Sequence, residues 1–171
     1  MRKNKILIIS YYWPPSGGSG VQRWLNFSNH LTKLGWDITV LTAKNPNFPI
    51  KDKSLLKNIN KSIKHLFVPI FEPTIFFNQK KTMLNINSKG ILKRFIYWIR
   101  ANLFFPDSRC FWIKKATKVA SEYIKKNGID YLITTAPPFS AHIIGLNLKN
   151  KFKIKWISDF RDPWSNFFQF K

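Results

Sequence analysis

Gly17-Gly18-Ser19-Gly20 stands between an apolar run and a helical pattern, an order of residue types that suits phosphate. Glycine lets the backbone come close to a ligand, and the first turn of a helix offers free N–H groups and partial positive charge. No Gly-Lys-Ser/Thr follows, so this is not a P-loop. It also falls short of the dinucleotide fingerprint, because Arg23 stands where the third glycine belongs. The competing reading is a plain tight turn. His142 falls in the first turn of a helix that Ser140 is placed to cap. There the helix dipole disfavours an imidazolium and predicts a neutral, hydrogen-bonding ring; a purely structural histidine is the alternative. Asp159, Arg161 and Asp162 crowd together after a predicted strand, in a chain with only eight acids. Carboxylates so placed bind sugar hydroxyls or orient a nucleophile. Otherwise Arg161 pairs with Asp162 in a self-neutralising turn. Ser16, Ser19 and Ser140 are excluded as hydrolase nucleophiles, since no Gly-x-Ser-x-Gly elbow exists. One cysteine excludes an internal disulfide and a cysteine-rich zinc site, and fits a reducing compartment. His30, His65 and His142 are scattered, so no metal site is expected.

These residues need a scaffold that brings them together. Residues 5–10 form a continuous apolar run, the mark of a strand buried on both faces of a parallel sheet. Val21, Trp24, Leu25, Leu31 and Leu34 recur at helical spacing after the loop 14–20, and Gly35 stops that helix. Residues 38–42 read as a second strand and 65–68 as a third, with a short helix at 55–59. Residues 91–104 are amphipathic, with Ile91, Leu92, Phe95, Ile96, Ile99 and Leu103 on one face and Lys93, Arg94, Tyr97 and Arg100 opposite. A helix over 110–127 turns Ile113, Ala116, Ala120 and Tyr123 inward. Residues 130–135 and 154–158 are the fourth and fifth strands, the fifth read as buried, with a helix over 141–148 between them. The alternation predicts an α/β fold, a doubly wound and mainly parallel Rossmann-like sheet of order 3-2-1-4-5 with right-handed crossovers. Ligands in such sheets bind at the carboxyl ends of the strands, where the order reverses. The loops 14–20, 136–142 and 159–164 should therefore meet at one edge.

Composition sets outer bounds. With 44% hydrophobic residues the 171-residue chain is not intrinsically disordered despite a net charge of +21, and its length suits one domain with a real core. The basic start followed by residues 6–9 is too short for a signal peptide, and Trp13-Pro14-Pro15 breaks it. No stretch reaches the ~20 apolar residues of a membrane span. Eighteen of the 29 Lys and Arg lie in residues 44–126 against four acids. That basic block is either a solvated surface or one that meets anions, lipid head groups or nucleic acid. The 91–104 helix is the expected membrane element, or else a core helix.

Residues 5–24 resemble the amino-terminal domain of family-four glycosyltransferases, retaining enzymes of the GT-B fold. So do Pro106-Asp107-Ser108-Arg109 with Trp112, Thr134-Thr135-Ala136-Pro137-Pro138-Phe139-Ser140-Ala141-His142, and Asp159-Phe160-Arg161-Asp162-Pro163-Trp164. The resemblance implies that residues 1–171 are one Rossmann-like acceptor-side domain, the amino-terminal half of a GT-B fold. The nucleotide-binding second domain, with its pair of glutamates, would be absent, so the chain would be incomplete as an enzyme. It implies that Gly17, Gly18, Ser19 and Gly20 line the donor diphosphate and sugar. His142, with Asp159, Arg161 and Asp162 at its rim, would face the acceptor cleft. No catalytic residue, metal or cofactor is assigned; a nucleotide sugar is substrate, and the acceptor is a glycan or a lipid-linked molecule of polysaccharide biosynthesis. A cytoplasmic place, peripheral on the inner face of the cell membrane, is expected, with no nucleic acid partner. Two other classes compete. One is a basic, non-catalytic module for nucleic acid or anionic surfaces, supported by charge alone. The other is a nicotinamide-binding Rossmann protein, weakened because Thr42-Ala43-Lys44 stands where a ribose-binding carboxylate is needed.

Overall fold

A computed structural model describes residues 3–44, 46, 48, 50–71 and 105–162. In chain order the elements are β1 (Lys5–Ile9), α1 (Ser19–Lys33), β2 (Asp37–Lys44), a 3-10 helix (Lys53–Asn58), β3 (Lys64–Pro69), α2 (Cys110–Asn127), β4 (Tyr131–Ala136), α3 (Ser140–Phe152) and β5 (Lys155–Phe160). The sheet runs β3-β2-β1-β4-β5 with every pair parallel. This is the order that the alternation of strands and helices predicts. The amphipathic segment 91–104 lies outside the described residues.

The sheet carries a helical layer on each face. On one, Val21, Trp24 and Leu25 of α1 pack on Ile6, Ile8, Ile38, Val40 and Ile133. On the other, Trp112, Ala116 and Ala120 of α2 and Ile144 and Leu148 of α3 pack on Leu7, Ile9, Leu41 and Leu132. Successive strand residues point to opposite faces, so β1 serves both layers, and Leu7, Ile8 and Ile9 are fully buried. Each such side chain contributes about 1.5–3 kcal/mol. Gly145 lets α3 press on the sheet: a Cβ there would stand 2.7 Å from both Thr134 Cγ2 and the Trp156 ring.

Three expectations change. The fifth strand is an exposed edge, with Lys155, Ile157, Ser158 and Phe160 in solvent. Its apolar residues resemble those of a central strand, but among the described residues β4 is its one neighbour. It also runs on through Phe160, so Asp159 belongs to the strand and not to the loop after it. The buried face of α2 is Trp112, Ala116, Ala120, Ser121 and Ile124. Ile113 and Tyr123 flank it, and the Tyr123 hydroxyl lies 2.8 Å from that of Thr39.

Candidate functional site

The turn after β1 is built to hold its backbone. Asp52 N donates to Pro15 O (2.8 Å) and Gly17 N to Ile50 O (3.0 Å), so residues 50–52 clamp the loop from outside. A Cβ on Gly17 would meet Ile50 Cγ2 at 2.9 Å. Gly18 has φ 106°, a left-handed conformation costly to other residues, and forms the N-cap of α1. Its carbonyl accepts from Val21 N and Gln22 N, both at 3.2 Å. No side chain caps this terminus and no acid lies in its first turn. The positive end of α1 thus opens into a pocket of about 180 Å³, lined by residues 16–21 with Tyr12, Ile50 and Arg161. The Arg161 guanidinium rests on Gly20, where any Cβ would coincide with it. Its Nε is 3.8 Å from Asp162 Oδ2, a loose ion pair.

Asp159 faces α1. Its Oδ2 accepts from Arg23, from Trp24 Nε1 (2.8 Å) and from Thr135 Oγ1 (2.8 Å). Burial by itself would raise the carboxyl pKa. The Trp24, Thr135 and Arg23 hydrogen bonds and the Arg23 charge outweigh it and hold the group below its ordinary value. Such a carboxylate is a poor base and a good tie between α1 and β5.

His142 lies on the other face of the sheet, because Thr134, its partner, alternates with Thr135. Thr134 Oγ1 accepts from Trp156 Nε1 at 3.0 Å and lies 2.7 Å from His142 Nδ1. Nε2 of the same ring is buried and has no hydrogen-bond partner among the described residues. Burial lowers the His142 pKa, against a smaller upward pull from Asp159, and keeps the ring neutral at pH 7. The Phe160 ring packs 4.2 Å away.

The N-terminus of α3 is closed differently from the expectation. Phe139 is its N-cap, and Ser140 does not cap it. Asp107 does so from 33 residues upstream: Ser140 N and Oγ donate to its Oδ2 and Oδ1 at 2.7 and 2.8 Å. Arg109 N donates to the same Oδ1 at 2.8 Å.

The structure therefore brings Arg161, with Asp162 beside it, to the glycine loop Gly17, Gly18, Ser19 and Gly20. It ties Asp159 into α1 and leaves His142 across the sheet. All sit at the carboxyl edge. Asp107, Arg23, Trp24 and Thr135 are not among the site candidates that the sequence offers. Asp107 had one signal, an acid within Pro106-Asp107-Ser108 in a chain poor in acids. Among the described residues no three His, Cys, Asp or Glu side chains gather to hold a metal ion.

No protein-family model matches the chain, and no curated protein sequence matches it. In fold it is similar to apo UGT2 of Phytolacca americana, with TM-score 0.51, 15% identity and 92% of this chain covered. The chain has the fold of one Rossmann-like half of a GT-B protein. It spans 29% of the length of UGT2. The C-terminal domain of the PF1911 hydrogenase of Pyrococcus furiosus is a further match, at TM-score 0.47 and 17% identity, with 93% of each chain covered. Among the described residues no helix is long and apolar enough to cross a membrane.

Proposed function

We propose that this chain is the acceptor-side domain of a retaining, family-four glycosyltransferase, which moves a sugar from a nucleotide sugar to a glycan or lipid-linked acceptor. The observation that carries the reading is the uncapped N-terminus of α1 at the switch point of the sheet, with Arg161 laid across it. A diphosphate needs such backbone donors, a helix dipole and a guanidinium together. The likeness in fold to UGT2, a plant UDP-glycosyltransferase, supports the same reading.

In this reading the loop 16–20 and Arg161 receive the donor diphosphate, and Asp162 steadies Arg161. His142 stays neutral beside the acceptor cleft. Asp159 acts through α1, holding its first turns beneath the loop. In the family that the sequence resembles, transfer takes place between two such halves. Residues 1–171 correspond to one of them and by themselves should bind without transferring.

Titration of the ¹⁵N-labelled chain with pyrophosphate, UDP and NAD tests this. Pyrophosphate and UDP at about 1 mM, the range of a single weak subsite, should shift the amides of Gly17, Gly18 and Gly20. Arg161→Gln should remove most of that shift. Silent glycine-loop amides would reject the diphosphate site. Tighter binding of NAD than of UDP would favour the nicotinamide class.

A further inference from the structure

Residues 15–17 of the glycine loop run antiparallel to residues 50–52, with Ser16 bridged to Lys51. Gly17 is seated between two side chains: a Cβ there would stand 2.9 Å from Ile50 Cγ2 and 3.4 Å from Asp52 Cβ. Asp52 is also the N-cap of the 3-10 helix. Its Oδ1 accepts from Ser54 N at 2.9 Å and from Ser54 Oγ at 2.6 Å. The Ser54 hydrogen bonds, that of the side chain first and then that of the backbone, hold the Asp52 carboxyl below its ordinary value. The far end of the same short helix is tied to α1. Asn29 Nδ2 donates to Asn58 O at 2.6 Å, and Asn60 N donates to Asn29 Oδ1 at 3.0 Å. Between these ends Leu55 is buried in the core beneath α1. A closed circuit results. It runs from the start of α1 through the glycine loop, residues 50–52 and the 3-10 helix, and returns to α1 at Asn29, about 16 Å along the helix from Gly18.

We infer that residues 50–60 are a bracket that presets the glycine loop for an anion, with Asp52 and Asn29 as its positioning residues. This role rests on the diphosphate reading of the pocket. A loop rich in glycine loses much conformational freedom when it is ordered. A bracket that orders it in the free protein takes that cost out of binding. Charge gives Asp52 no other use here. It is one of only eight acids, and it stands beside Gly17, where a carboxylate repels an incoming anion. What Asp52 supplies is the cap that joins the 3-10 helix to the loop.

The full ¹⁵N-labelled chain is titrated with pyrophosphate, and exchange of the Gly17 amide is followed without ligand. Asp52→Ala removes both cap and charge, whereas Asp52→Asn removes the charge and keeps a cap of similar strength. For a bystander carboxylate, both variants would bind pyrophosphate more tightly than the wild type, because a negative charge has gone. For a positioning residue, the alanine variant should bind about five-fold more weakly, the size of one lost cap, and the asparagine variant at least as tightly as the wild type. Asn29→Ala should weaken binding about three-fold from its distant place on α1. Asn26→Ala, exposed on the same helix, should leave it within about two-fold. The Gly17 amide, bonded to Ile50 O, should exchange about five-fold faster in both Asp52→Ala and Asn29→Ala. Circular dichroism checks that the fold survives. Unchanged or tighter binding by Asp52→Ala overturns the bracket, and so does an Asn29→Ala chain that behaves like Asn26→Ala. A wild-type chain silent toward pyrophosphate rejects the diphosphate reading and, with it, the presetting for an anion. Gly17 exchange then tells the two failures apart, since faster exchange in the variants shows a bracket that holds the loop for some other purpose.

Discussion

Two helices begin at the carboxyl edge of the sheet beside the central strand, and their N-termini are treated oppositely. That of α1 is capped by Gly18 alone and opens to solvent beside a cation. That of α3 is filled by the Asp107 carboxylate, and its next amides are spent locally, Ala141 N on Pro138 O and His142 N on Phe139 O. The macrodipole argument gives both ends the same appetite for an anion. The fold satisfies one from within and leaves the other open at the pocket. Closing α3 has a second consequence: its first turn, which carries His142, is fixed. Position in the topology therefore selects candidate sites, and capping decides between them.

The strongest way to break this contrast is Asp107→Ala. It removes the acceptor for Ser140 N, Ser140 Oγ and Arg109 N together. The expected cost is about 2–3 kcal/mol, the sum of a lost cap and of donors left without an acceptor. Urea denaturation measures it. Asp107→Asn keeps one carbonyl and should cost about half as much. If the two termini differ only in occupancy, the alanine variant should also gain a second, weaker pyrophosphate site, seen as new shifts at Ser140 and Ala141. A variant as stable as the wild type would show that packing and not the carboxylate closes α3.

How far this was legible in the sequence follows from range of interaction. The strands and their order were readable because Ile6-Leu7-Ile8-Ile9 and its counterparts have periods that local geometry fixes, and right-handed crossovers leave few topologies. β5 was misjudged because Trp156 and Ile157 look like core residues whether one or two neighbours flank the strand. Gly17 to Gly20 were visible as a loop, since glycine announces its own conformation. The assignment of Arg161 to that loop was not, because it depends on where β5 ends in space. The same holds for Asp107: a cap supplied from 33 residues away leaves no spacing signal. The split of Asp159 and His142 onto opposite faces turns on strand parity, and a boundary shifted by one residue reverses it.

Acid sharpens the comparison because the two sides rest on different protonation states. The α3 side needs His142 neutral, and beside β1 the Trp13 indole donates to His65 Nε2 at 3.0 Å, which needs a neutral His65. Burial lowers both histidine pKa values. Below about pH 6.5 the unfolded chain takes up protons that the folded chain refuses. Stability is then full above about pH 6.5 and falls with pH until the folded histidines titrate, by up to about 1.4 kcal/mol per pH unit for each. The α1 side needs Asp159 ionised, and its pKa is depressed. Its contribution is present above about pH 4 and lost as pH falls through the folded value. The melting temperature should thus drop in two stages, the first by about 2–4 °C per kcal/mol. His142→Gln should shrink the first stage and leave the second. A melting temperature level from pH 8 to pH 5 would break the neutral-histidine account.

The smallest effect on stability is expected at Gly20, and it separates binding from folding. Gly20 is the second residue of α1 and its φ is not left-handed, so alanine fits the backbone and is the better helix former. The obstacle is the Arg161 guanidinium, the far end of a flexible side chain that can swing aside. Gain and loss should nearly cancel, leaving Gly20→Ala within about 0.5 kcal/mol of the wild type in urea. Pyrophosphate binding should still weaken about five-fold, because the displaced guanidinium no longer lies across the α1 terminus. Arg161→Gln should lose a similar amount. The double variant should lose hardly more than either single change, since both remove one interaction. Additive losses would mean that Gly20 and Arg161 serve the anion separately, and the contact between them would then be incidental to the pocket.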